Sequence, residues 1–239
     1  MLLGLSDQVD EYCERMDMSF WAEPTNAITN FLIIFAGLAA FRLYNKQFPL
    51  HGHRHRPNVL ILIALVLATG IGSFLYHTLA TVWAGYADVL PIVGFIYLYH
   101  VVFLRRALAM PYKYVLIYLL IFFSLSALLG RTFGREALNG SITYVPALIS
   151  FYTVWVAMMA LRRPGARLFG IAALVFFAAI SFRTADMIVC ETFPLGVHFM
   201  WHTLNAIVLY LLLKLVIQLP DYYKRHQRDG FESKSRIFR

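Results

Sequence analysis

Five residues of this chain have types and spacings that can do chemistry together: Ser73, His77, Asp88, His198 and His202. His198 and His202 stand four apart in Val197-His198-Phe199-Met200-Trp201-His202-Thr203, so on a helix they project from one face, one turn above the other. Ser73 and His77 bear the same relation within Gly72-Ser73-Phe74-Leu75-Tyr76-His77-Thr78. Asp88 follows in Tyr86-Ala87-Asp88-Val89-Leu90-Pro91. All five lie within or at the ends of apolar runs, where ionisable residues are costly and point to function by default. A single histidine in such a place is more often packed and hydrogen-bonded than a ligand, and a polar cluster can simply join helices. Three neutral imidazoles, however, leave one position open on a tetrahedral Zn²⁺, the pattern of catalytic rather than structural zinc. Such an ion lowers the pKa of its water to about 7 and polarises a carbonyl. Asp88 then suits a general base that passes the proton to the leaving group, and Ser73 a hydrogen-bond donor to the oxyanion.

The elements that must position these residues are membrane helices. Of 239 residues, 60% are hydrophobic and only 14% charged, well below the quarter usual in soluble domains. Seven runs approach the roughly 20 residues a spanning helix needs: about 26–45, 58–80, 86–104, 112–130, 141–161, 167–186 and 197–219. The expected fold is therefore all-α, a seven-transmembrane-helix bundle (26–219) between an acidic segment (1–25) and a basic tail (220–239). The formal net charge of +8 sits in short clusters between the apolar runs, which orients a membrane protein and argues against nucleic acid as a partner. Lys46, Arg54 and Arg56 occupy the first loop, among His51, His53 and His55. Arg105, Arg106 and Lys113 occupy the third, and Arg162, Arg163 and Arg167 the fifth. The tail adds Lys224, Arg225, Arg228, Lys234, Arg236 and Arg239, and only the fourth loop dissents, with Arg131 and Arg135. Seven spans and the positive-inside rule put the N-terminus outside and the C-terminus in the cytoplasm. His77, Asp88, His198 and His202 then fall at one depth near the outer face, an agreement that the loop charges did not have to produce.

Residues 1–25 carry six acids (Asp7, Asp10, Glu11, Glu14, Asp17, Glu23) and one base, Arg15, without a long apolar core. They read as no signal peptide, which leaves the first span to direct insertion. Oxygen-rich clusters suit Ca²⁺, but a run of acids is more often a solvated face, and the residues alone leave both readings open. Arg183 and Asp186 are spaced to pair structurally, His100 reads as a packing residue, and Lys214 as a snorkelling one. The loop histidines His51, His53 and His55 read as a headgroup contact. Cys13 and Cys190 can make at most one bond.

Together these residues resemble the alkaline ceramidases, within a wider group that includes adiponectin-type receptors and Per1-like lipid hydrolases. The resemblance rests on Ser73-x3-His77, Asp88 eleven residues later and His198-x3-His202 opening the last span. It extends to Glu11-Tyr12-Cys13-Glu14 and Phe20-Trp21-Ala22-Glu23-Pro24-Thr25-Asn26. It implies zinc on His77, His198 and His202, proton transfer by Asp88 and oxyanion binding by Ser73. It also implies a calcium site formed by the side chains of Glu11, Glu14 and Glu23 and the Tyr12 carbonyl, with Asp17 as a further ligand. The family has Asp and Trp where this chain has Glu11 and Tyr12, changes that keep oxygen ligation. A Cys13–Cys190 disulfide is implied as well, outside the membrane where such bonds persist.

The expected function is zinc-dependent hydrolysis of ceramide or a related N-acyl lipid, a linear amide, to a long-chain base and a fatty acid. A Per1-like esterase is the enzymatic alternative, but those proteins carry a cysteine-rich segment that is missing here. An adiponectin-type receptor shares the zinc set with the opposite orientation and without the acidic start. The expected location is the inner membrane of a bacterium, or the endoplasmic reticulum or Golgi of a eukaryote.

Overall fold

The computed structural model describes residues 4–48, 56–134, 136–220 and 222. The loop histidines His51, His53 and His55, together with Arg54, Arg135 and the basic residues of the tail, lie outside them. Among the described residues are seven helices long and apolar enough to cross a membrane, as expected of an integral multi-pass protein. They are α1 (Pro24–Gln47), α2 (Pro57–Leu79), α3 (Val82–Leu108), α4 (Tyr112–Phe133), α5 (Val145–Ala160), α6 (Ala166–Val189) and α7 (His198–Gln218). A 3-10 turn, Ser141–Tyr144, leads into α5. Pro24 and Pro57 open α1 and α2, positions where the missing N–H has no helical acceptor to lose.

Each helix packs beside its neighbours in sequence, and α7 closes the ring against α1. The core is built where α1, α2, α3, α6 and α7 meet, around Tyr44, Leu62, Phe103, Leu213 and Ile217. α4 contributes only Val115 and Phe122 as buried residues and turns Leu116, Leu120, Ile121 and Phe123 outward. In water such a face would be a large apolar patch, whereas lipid tails solvate it.

The third span starts earlier than the apolar run suggests, at Val82 rather than near residue 86. Ala80 ends α2 in the left-handed region (φ 46°), so the α2–α3 connection is only Ala80 and Thr81. Asp88 therefore sits in the second turn of α3. Pro91, inside that helix, cannot donate to the Ala87 carbonyl four residues back. That same carbonyl meets Gly72 of α2, where an added Cβ would lie 2.1 Å from it. The proline and the glycine together let two helix backbones touch beside the site.

The N-terminal segment caps one end of the bundle. Val9 N–H donates to the Ala80 carbonyl at 2.8 Å, and Val82 and Trp83 donate back to Asp7 and Leu5. A Cys13–Cys190 disulfide then ties the segment to the end of α6.

Candidate metal centre

Two helix ends bring the three histidines together. His77 lies in the last turn of α2, and His198 and His202 form the first turn of α7; all three are almost fully buried. One ring nitrogen from each falls within 4.8 Å of the others, which makes a group able to hold a metal ion. The Nε2 atoms of His77 and His202 are 3.1 Å apart.

The outer ring nitrogens explain that approach. His77 Nδ1 lies 2.6 Å from Oε2 of Glu23, a carboxylate that can only accept, so the proton sits on Nδ1. His202 Nδ1 lies 3.0 Å from Thr29 Oγ1. The single Thr29 hydroxyl proton is directed at the carbonyls of Thr25 and Asn26, so Oγ1 accepts from His202 Nδ1–H. With both rings neutral, two Nε2 lone pairs face each other at hydrogen-bond distance with no proton between them. A cation relieves that repulsion, and nitrogens about 2.0–2.1 Å from a shared tetrahedral Zn²⁺ would stand at much this separation. The donor set fits zinc. Partners on the outer nitrogens are also what metal-binding histidines ordinarily have. Nδ1 of His198, by contrast, is buried without a partner among the described residues.

His198 is placed by Asp186. Asp186 Oδ1 accepts the Val197 and His198 N–H groups at 2.7 and 2.9 Å, and Oδ2 accepts the Cys13 N–H at 3.1 Å. The carboxylate thus satisfies the first amides of α7, which its own N-cap residue Val197 leaves open. Gly196 (φ 65°) makes room: an added Cβ would lie 2.3 Å from Asp186 Oδ1 and 2.6 Å from Cys13 Cβ. The expected Arg183–Asp186 pair does not form. Arg183 instead donates to the Tyr12 hydroxyl at 3.2 Å and lies near the Tyr144 and Trp201 rings. Burial pushes the Tyr12 phenol above its usual range, and its neutral ring lies over His198, centroids 3.9 Å apart.

Asp88 and Ser73 line the same cavity as His202, and the Ser73 side chain faces the Asp88 carboxyl. Asp88 Oδ1 is buried with no hydrogen-bond partner among the described residues, an acceptor left open toward the site. Arg183 is the fixed cation within electrostatic reach of it, and the His77 ring is close by. Beyond these polar groups the cavity becomes apolar, lined by Phe95, Phe103, Val154, Phe169 and Phe176 down to Leu212. From His202 to Leu212 is ten residues of α7, about 15 Å at 1.5 Å per residue, or half of a hydrocarbon layer. His100 crosses its middle, 2.6 Å from Ser150 Oγ, in the packing role its sequence context suggests.

The acids of the N-terminal segment are not gathered in this way. Among the described residues they form no group of three beside the histidine cluster. Glu14 accepts the Thr25 and Asn26 N–H groups at 2.7 and 2.8 Å and so caps α1. Asp17, exposed, accepts the Ser19 N–H at 2.8 Å, and Glu11 is exposed beside Tyr76. Glu23 bonds Arg15, His77 and Asn26. Burial raises the Glu23 carboxyl, but the hydrogen bonds from His77 and Asn26 and the Arg15 guanidinium bring it below the usual range. Sequence reading missed Glu23 and Thr29 as partners of the histidines, Asp186 as the anchor of α7, and Gly72. One signal was present: Asn26, Thr29 and Asn30 are polar residues in an apolar span, and all three face inward.

A protein-family model described as Ceramidase matches residues 9–237, nearly the whole chain. No curated protein and no solved structure gave a match. With a family match of that extent, over a seven-helix bundle that buries three histidines at one end, the chain belongs to the ceramidase family, whose name describes hydrolysis of a lipid amide.

Proposed function

We propose that this chain is an intramembrane zinc-dependent amidase that cleaves ceramide or a related N-acyl lipid to a long-chain base and a fatty acid. The observation that carries the reading is the junction of two environments: a group of three buried histidines, one of which, His202, lines with Asp88 and Ser73 one end of an apolar cavity about 15 Å long. His77, His198 and His202 would hold the ion. When bound, zinc supplies Lewis acidity to water and to the scissile carbonyl.

The other steps belong to side chains. The aromatic cavity takes the acyl chain and excludes water, which sets the amide carbonyl at the histidine end. Asp88, with its open Oδ1, accepts the proton of the attacking water and delivers it to the departing nitrogen. The hydroxyl from water ends on the acyl carbon and the proton on the amine, so the C–N bond is exchanged for acid plus base. Ser73 donates to the carbonyl oxygen as it gains charge. In this reading residues 26–219 are the catalytic bundle, 1–25 its outer cap and 220–239 a cytoplasmic tail. The cations at the opposite end of the bundle, among them Lys46, Arg56, Arg105 and Arg163, support that orientation.

The test is mass spectrometry of lipids incubated with purified protein, with Asp88→Ala and His198→Ala alongside. The expected result is equimolar fatty acid and long-chain base from the native chain. Asp88→Ala should keep its zinc and lose at least about 100-fold in rate, the low end of proton-transfer catalysis. His198→Ala should lose both zinc and turnover. Undiminished hydrolysis by Asp88→Ala would remove its assigned role.

A further inference from the structure

The cation that the N-terminal cap requires is already part of the chain. Arg15, the one base among residues 1–25, is buried, with only 4% of its surface exposed. A guanidinium so placed must find partners or destabilise the fold. Its Nε donates to Glu23 Oε1 at 2.6 Å. One terminal nitrogen donates to the Asp17 carbonyl at 3.1 Å and approaches that of Ser19 at 3.5 Å, and the other donates to the His77 carbonyl at 2.9 Å. Four oxygens from three stretches of chain thus surround one positive charge. Carboxylate and carbonyl oxygens are also what a hard divalent ion takes.

The fourth contact explains why a cation belongs there. His77 lies two residues before the end of α2, where carbonyls have no helical donor and the helix dipole is negative. Arg15 satisfies that carbonyl, and through Glu23 it also holds the Nδ1 of the same histidine. A calcium ion on Glu23 would stand against the guanidinium, and it would need six to eight oxygens, most of which are already used. Glu14 is spent on the amides of α1, while Glu11 and Asp17 face solvent. The acids expected to bind calcium do not fit that ion as they stand.

We infer that Arg15 is the built-in cation of this oxygen cage, in the place where family resemblance puts calcium, so the cap and His77 are held without the ion. The arrangement makes calcium unnecessary for stability, and it cannot be lost by dilution or chelation. This goes beyond the amidase reading and does not depend on turnover.

The test uses the purified full chain in detergent, with thermal unfolding and equilibrium dialysis against calcium as readouts. The native protein should bind no stoichiometric calcium at about 1 mM, the weak end of known protein sites. Its unfolding midpoint should be the same in calcium and in chelator. Arg15→Gly empties the cage and should lower the midpoint by roughly 5 °C or more. Millimolar guanidinium ion or calcium should then raise it again. Stoichiometric calcium on the native chain with a higher midpoint would overturn the proposal, as would an Arg15→Gly variant that melts with the native protein. If Arg15→Gly does not fold, the native titration decides alone.

Discussion

Glu23 shows how much one carboxylate can organise. Its two oxygens take a guanidinium on one side and the His77 ring and the Asn26 amide on the other. The first contact closes the N-terminal cap, and the second turns the His77 Nε2 toward His202. Glu23→Gln keeps the shape but removes the charge and gives Oε2 or its nitrogen the wrong polarity for one partner. We expect a 10–100-fold weaker zinc affinity, the usual effect of losing an outer partner of a ligand histidine. Competition against a chelator of known affinity measures it, and an unchanged affinity would assign Glu23 to the cap alone. Asp186 does comparable work on the backbone of α7, where it fixes the first turn rather than a ring.

At the level of elements, the close pair is α2 and α3. Gly72 lets α2 approach the Ala87 carbonyl, which Pro91 has left without a helical donor, so Ser73 and Asp88 come onto one cavity wall. Gly72→Ala would drive a methyl group into main-chain atoms that no rotamer can move. The helices must separate, at a cost of about 1–3 kcal/mol or more, as in overpacked cores. The expected outcome is a lower unfolding midpoint together with a loss of hydrolysis larger than the loss of zinc, because Asp88 shifts while the histidines stay near α1 and α7. Equal zinc, stability and turnover in this variant would show that the contact does not position Asp88.

Across the whole molecule, the cap is fastened to the bundle by hydrogen bonds to the α2–α3 turn, by Arg15 and by the Cys13–Cys190 disulfide. The bond closes a sequence separation of 177 residues. For a soluble chain the loop-entropy model would put its contribution near 5 kcal/mol. A membrane chain keeps its helices inserted when it unfolds, so the bond restrains less freedom and the effect is smaller. Cys13→Ser with Cys190→Ser should therefore still insert and fold, with a midpoint lowered by a few degrees and the cap more open to protease. Thermal unfolding and limited proteolysis read the two effects, and a native midpoint with an equally protected cap would mean that the remaining contacts suffice.

Seven apolar runs, their alternation with basic loops and the i, i+4 placement of Ser73 with His77 and of His198 with His202 were legible in the sequence. Each depends on one helix alone, where spacing sets direction. That the three histidines meet in one buried group was decided by tertiary packing, as were their partners. Glu23 is 54 residues from His77, and Thr29 is 173 from His202. The acidic N-terminal segment marks the boundary most clearly. An acid that binds an ion, one that caps a helix and one that pairs with arginine look alike in composition. Which of these each became was determined by the donor that folding brought to it: the α1 amides for Glu14, and Arg15 with His77 for Glu23.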